Sequence, residues 1–308
     1  MKILIIGLGS IAKKHINAIL TLYKDVEIFA FRFSSRENIE GVNNVYSLEN
    51  LVNKLDFVII SNPTFLHGET ILNCLHLNCP IFLEKPPLNN FINANKINQL
   101  LINSKTVNYV AFNLRFHPVI EYLKNNDELK KQKINEINVY CGSYLPNWRP
   151  NSNFKEIYSV DKAMGGGVHL DLIHEIDYCI WIFGKPMSVQ SIKKSNSNLE
   201  INAIDYAQFN FFYENFVLNI KLNYFRLDSK REIEILTEND TIICDLNSCI
   251  IKSAVTDKII FKKNYNIMDT YILQMKYFVD AIKNGKKILN NFEESLEVLK
   301  IALNDEFK

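Results

Sequence analysis

Short apolar runs alternate with amphipathic stretches over the first third of the chain. Residues 2–6, 26–31 and 57–61 read as buried strands, with helical patterns at 11–23 and 48–55. Further on, 65–77 fits a helix, 80–83 another strand, 94–103 another helix and 108–112 a further strand. Strand alternating with helix demands a parallel sheet covered on both faces. The pattern therefore predicts a doubly wound domain ending near His117-Pro118.

Beyond that point the period changes to two, over 134–144, 205–213 and 216–225. In the last of these Phe216, Leu218, Ile220, Leu222 and Tyr224 fall on one face, while Asn219, Lys221 and Asn223 fall on the other, as in an antiparallel sheet buried on one side. Helices over 167–183, 268–283 and 292–307 are expected to cover the apolar face. The fold class is therefore α/β: an N-terminal Rossmann doubly wound parallel sheet over 1–118, plus a C-terminal α+β domain with a large, mostly antiparallel open sheet over 119–308.

Composition narrows the partners. With 35 basic and 34 acidic side chains among 308 residues, the chain carries no net field to draw in nucleic acid or an acidic membrane. The opening apolar run stops at glycines and Lys13-Lys14, too soon for a signal peptide, and no stretch approaches the roughly 20 apolar residues of a bilayer span. Six cysteines form no C-x-x-C pair. A cytoplasmic protein with reduced thiols is expected, acting on small molecules and associating with copies of itself.

Gly7-Leu8-Gly9-Ser10-Ile11-Ala12 follows the first strand and opens the first helix, the G-x-G-x-x-A form of a dinucleotide-binding turn. Gly7 permits the tight turn, Gly9 the approach of a pyrophosphate, and Ala12 close packing of helix on strand, while the free amides of Ser10 and Ile11 face the anion. At the end of the second strand, where an acid would hold the ribose of NAD, stand Arg32, Ser34, Ser35 and Arg36. Guanidinium and hydroxyl donors suit the 2′-phosphate of NADP; a solvated basic loop is the alternative. Ser61-Asn62-Pro63-Thr64 and His67 follow the strand at 57–61, on the ligand side of such sheets, although a capped Pro turn has the same composition. Glu84-Lys85-Pro86 ends the strand at 80–83, where a lysine ammonium can stabilise an oxygen that gains negative charge.

Gly165-Gly166-Gly167 leads into a stretch where Asp171, His174 and Asp177 recur every three residues beside an apolar stripe of Leu170, Ile173, Ile176 and Ile180. A carboxylate with an imidazole makes a proton-transfer group. A metal site from His169, Asp171 and His174 lacks a fourth ligand, so no metal is expected.

These motifs together resemble the Gfo/Idh/MocA oxidoreductases, and the likeness runs over nearly the whole chain. It rests on the glycine turn, Asn62-Pro63 with His67, Glu84-Lys85-Pro86, Asn113-Leu114-Arg115-Phe116-His117-Pro118, and the glycine triplet leading to Asp171 and His174. The resemblance implies NAD or NADP in the first domain, oxidation or reduction of a sugar-like hydroxyl or carbonyl, and Lys85, Asp171 and His174 as the catalytic set. Many members place four positions between that Asp and His. Here the step is three, which turns the histidine by about 100° on a helix.

Leu145-Pro146-Asn147-Trp148-Arg149-Pro150 and His174-Glu175-Ile176-Asp177-Tyr178 are similar to a branch found among bacterial enzymes of surface-glycan sugars, implying an amino sugar, a nucleotide sugar or a nonulosonic acid precursor as substrate. In this reading His174 removes the hydroxyl proton, Lys85 stabilises the alkoxide, and Asp171 orients the imidazole or a neighbouring hydroxyl. Asn113, Arg115, Trp148 and Arg149 are the candidates for substrate contact, with packing as the alternative role of each. A homo-oligomer, dimer or tetramer, is expected through the polar face of the second sheet. The rival reading is a dinucleotide-binding sensor of the same fold without turnover.

Overall fold

The first apolar run becomes β1 (Lys2–Ile6), buried from Ile3 onward because it lies inside a parallel sheet with neighbours on both edges. The computed structural model describes residues 1–32, 39–149 and 153–304. With β2 (Glu27–Phe31), β3 (Val42–Val45), β4 (Phe57–Ile60), β5 (Ile81–Leu83) and β6 (Asn108–Val110), β1 forms an all-parallel sheet in the order β3-β2-β1-β4-β5-β6. The strand order reverses between β1 and β4, and ligands of such sheets bind beyond the carboxyl ends at that reversal. Helices α1 (Ser10–Leu22), α2 (His67–Cys74) and α3 (Ala94–Asn103) connect the strands. The helix expected over 48–55 is a single 3-10 turn, Glu49–Leu51. β3, with the sequence Val-Asn-Asn-Val, escapes the apolar pattern because an edge strand needs only one partner.

The chain divides into two compact units, Met1–Asn113 with Ile267–Leu299, and Leu114–Asn266 with Lys300–Lys308. The second unit contains α4 (Pro118–Asn125), α5 (Asp127–Lys131) and an eight-stranded sheet. Its strands are β7 (Ile134–Gly142), β8 (Ser188–Lys194), β9 (Tyr206–Phe212), β10 (Val217–Asn223), β11 (Lys230–Thr237), β12 (Thr241–Asp245), β13 (Ile250–Ser253) and β14 (Ile259–Lys262). They run β14-β13-β12-β11-β7-β10-β9-β8, antiparallel except for β7 beside β10. Leu218, Ile220 and Leu222 of β10 are fully buried, as the alternation requires.

The continuous helix expected over 167–183 is two helices, α6 (Val168–Asp171) and α7 (His174–Phe183). Leu172 leaves helical geometry at φ −99° and ψ 31°, so Asp171 and His174 do not share one helix face. A second correction concerns α8 (Ile267–Lys283), expected on the antiparallel sheet. Its Met275, Phe278 and Val279 lie in one apolar cluster with Ile3, Ile5, Ile28 and Ile59 of the parallel sheet. Phe278 stands edge-on to Phe57 and Phe82 at 5.2 and 5.3 Å, a buried aromatic packing whose truncation to alanine typically costs about 3–5 kcal/mol. A parallel sheet must be covered on both faces, and α8 supplies part of that cover beside α1. At the start of α9 (Phe292–Leu303) the Phe292 amide donates to Asn108 Oδ1 at 2.7 Å. Among the described residues no helix is long and apolar enough to cross a membrane.

Candidate functional site

The first unit builds a cradle at the end of β1. Gly7 has φ +93°, and a Cβ there would lie 2.3 Å from Asn62 N, so only glycine lets this turn run against the loop after β4. Ser61 Oγ donates to Gly7 O at 2.8 Å and pins the same approach. Gly9 behaves in the opposite way: a Cβ there would meet nothing within 4 Å, and the residue is exposed. It is the N-cap of α1, offers no side-chain cap, and no acid stands in the first turn with Ser10 and Ile11. The helix terminus thus keeps its positive end for an anion, while fully buried Ala12 brings α1 close to the sheet. This donor set and open glycine fit the pyrophosphate of a dinucleotide.

Arg32 closes β2 by donating its amide to Val45 O at 2.9 Å, and its Nε is buried without a hydrogen-bond partner among the described residues. An orphaned guanidinium nitrogen at this strand end fits a 2′-phosphate or ribose oxygen. Ser34, Ser35 and Arg36 lie outside the described residues. In the loop after β4, Asn62 Nδ2 donates to Thr70 Oγ1 at 2.8 Å, its Oδ1 is buried without a partner, and Pro63 is exposed. His67 is 1% exposed, with Nδ1 2.9 Å from Pro86 O and Nε2 3.0 Å from Asn62 O. Its ring braces two loops. Burial draws its pKa below the usual imidazole range, partly offset by those carbonyls and by Glu84.

Glu84, one residue past β5, is buried; its Oε1 lies 2.6 Å from His15 Nε2 and its Oε2 accepts the Lys85 amide at 3.1 Å. Lys85 itself is half-buried, and the Lys85–Pro86 peptide is cis. Asn113 also belongs to this unit, buried, with Nδ2 donating to Thr270 Oγ1 at 2.7 Å.

In the second unit, Asp171 at the end of α6 is 6% exposed and accepts two phenols, Tyr158 Oη on Oδ1 at 2.8 Å and Tyr224 Oη on Oδ2 at 2.6 Å. Burial first and the Asp171 charge second raise both phenols well above the usual tyrosine range, so both remain donors. Trp148 joins the cluster, its ring perpendicular to that of Tyr224 at 5.3 Å and its Nε1 donating to Ser143 Oγ at 2.8 Å. The charge of exposed Arg149 acts on Tyr158. The structure therefore brings Trp148, Arg149 and Asp171 into one neighbourhood. His174 opens α7, buried, with a buried Nδ1.

Arg115 is placed differently: its guanidinium grips Asp177 with two bonds, at 2.9 and 2.6 Å, and lies over the Trp181 ring at 5.5 Å. The bidentate fork is thereby engaged within the protein. His15, Tyr158 and Tyr224 are residues of these networks that carry no signal in the motifs. His15 could have been found, since it falls three residues after Ala12 on the buried face of α1, where an imidazole needs a partner.

Glucose-6-phosphate 3-dehydrogenase of Bacillus subtilis (strain 168) is 24% identical over 213 residues, 65% of this chain and 59% of that protein. The chain spans less than two thirds of the length of the curated relatives it matches. Among solved structures, the WlbA dehydrogenase of Chromobacterium violaceum in complex with NADH and UDP-GlcNAcA superposes with a TM-score of 0.79 at 16% identity, covering 98% of this chain and 91% of that one. Levoglucosan dehydrogenase in complex with NADH and levoglucosan gives 0.82 at 16% identity, covering 98% and 95%. At these identities the likeness is one of fold. Residues 1–112 match the NAD-binding Rossmann fold of the GFO_IDH_MocA oxidoreductases and residues 127–304 their C-terminal alpha/beta domain, so the chain belongs to the Gfo/Idh/MocA oxidoreductase family.

Proposed function

We propose that this chain is a dehydrogenase that moves hydride between a nicotinamide dinucleotide and a hydroxyl-bearing carbon of a sugar, amino sugar or nucleotide sugar. The observation that carries the reading is the pair Gly7 and Gly9 at the strand-order reversal, one packed on backbone and the other open, below an uncapped helix terminus. The dinucleotide, when bound, supplies the hydride acceptor or donor. In the oxidative direction His174 takes the hydroxyl proton, Lys85 stabilises the oxygen as it becomes an alkoxide, and the doubly anchored Asp171 holds a fixed negative charge and acceptor lone pairs for orientation. Trp148 and Arg149 beside that carboxylate suit a sugar face and an anionic group. The sugar ligands of the WlbA and levoglucosan dehydrogenase structures support the substrate class.

Arg32 favours NADP over NAD in this reading. A surface-glycan sugar pathway in the cytoplasm is the proposed setting. Self-association through the polar face of the second sheet, including Asn219, Asn138, Gln208 and Asn210, completes the proposal. The test is a panel of sugars, sugar phosphates and UDP-sugars mixed with oxidised dinucleotide. Formation of reduced nicotinamide with a matching ketone product supports the reading; dinucleotide binding with no exchange across the panel favours a sensor instead.

A further inference from the structure

The described residues hold one buried acid–imidazole pair that the proposed chemistry does not use. Glu84 is 7% exposed and its carboxylate is engaged at both oxygens, by His15 Nε2 at 2.6 Å and by the Lys85 amide at 3.1 Å. A carboxylate removed from water needs donors, and here they are one imidazole and one peptide. The His15 ring is 0% exposed, wedged edge-on between Phe82 at 5.0 Å and Tyr271 at 5.6 Å. Its Nδ1 is buried with no partner, so only Nε2 has a polar neighbour, and the tautomer with hydrogen on Nε2 satisfies the pair. The aromatic walls fix the ring, the ring fixes the carboxylate, and the carboxylate fixes the peptide of Lys85.

The two ends of this chain of contacts differ in kind. His15 belongs to α1, whose N-terminus presents the cradle around Gly9, whereas Lys85 follows β5. We propose that His15 is a positioning residue for Lys85, tying the helix that receives the dinucleotide to the peptide that carries the lysine, through Glu84. The proposal rests on the role given to Lys85 above, yet its consequences are read in binding and amine chemistry rather than in turnover. A brace that served only to fill the core would respond to ring size. A positioning contact responds to the donor hydrogen.

The experiment uses the full chain with NADH or NADPH, whichever the unaltered protein binds more tightly, and compares His15→Gln, which keeps an amide N–H near the Nε2 position, with His15→Leu, which removes the donor. Two quantities are read: dinucleotide affinity by nicotinamide fluorescence, and the acetylation rate of Lys85 in the dinucleotide complex by peptide mass spectrometry. His15→Leu is expected to weaken binding by about tenfold and to change the Lys85 rate by about fivefold, with His15→Gln restoring both to within about threefold of the unaltered protein. Should His15→Leu fail to fold, His15→Asn, polar but too short to reach Glu84, takes its place with the same expectation. An unchanged Lys85 rate in the donor-free variant overturns the proposal, as does a His15→Gln variant that fails alongside it. Neither result bears on whether Lys85 acts in turnover, which Lys85→Ala decides separately.

Discussion

Tyr224 donates its phenolic hydrogen to Asp171 Oδ2 across 2.6 Å, joining the strand-end region after β10 to the last residue of α6 inside the second unit. Both groups are buried, and Tyr158 occupies the other carboxylate oxygen. A hydrogen bond to a charged group contributes about 1.5–3 kcal/mol, so Tyr224→Phe is expected to lower unfolding free energy by that amount in a urea titration. Its effect on kcat should be a loss of about tenfold with dinucleotide affinity unchanged, because the carboxylate loses orientation while the first unit is untouched.

Gly7 and Gly9 should separate stability from binding. Gly7→Ala forces a Cβ to 2.3 Å from the Asn62 backbone at φ +93° and is expected to destabilise the fold by about 3 kcal/mol or more. Gly9→Ala meets nothing, so its stability should stay within about 0.5 kcal/mol, while dinucleotide affinity falls by about tenfold. Thermal unfolding and fluorescence titration on the two variants check the pair.

The orphaned Nε of Arg32 leads to an expected preference for NADPH over NADH of at least about tenfold, the worth of one charged hydrogen bond. Arg32→Ala should remove most of it by weakening NADPH alone. Equal affinities in the unaltered protein would show that the guanidinium takes no part.

His117 gives a pH dependence with a definite sign. Its Nε2 donates to Leu246 O at 3.0 Å and its Nδ1 accepts the Val119 amide at 3.2 Å, an arrangement only the neutral ring makes. Burial, with help from the Arg231 charge, lowers its pKa to about 4 from 6.5. The unfolded chain therefore binds the proton first, and stability present above pH 6.5 declines as pH falls towards 4, by about 3 kcal/mol in all. His117→Gln should flatten that part of the stability curve measured by denaturant titration.

Apolar patterning made β1, β4 and β10 legible, because each is buried in a way that leaves a run or an alternation. β3 was not, since its central asparagines lie on an edge strand. The break between Asp171 and His174 was hidden by an apolar stripe that continues across it; the contacts at that break come from Tyr158 and Tyr224, 13 and 53 positions away. The stripe on α8 told that the helix is buried but not against which sheet. Motif spacing named Gly7, Gly9, Lys85 and Asp171 from the sequence, yet partners such as His15, 69 positions from Glu84, follow only from topology.

The most direct measurement is Lys85→Ala, assayed for nicotinamide oxidation or reduction with a sugar that the unaltered protein turns over, beside a dinucleotide titration of the same variant. Turnover is expected to vanish while dinucleotide affinity stays within about tenfold, because the ammonium is assigned to charge that develops only in the transition state. A kcat close to that of the unaltered protein would contradict the proposed chemistry.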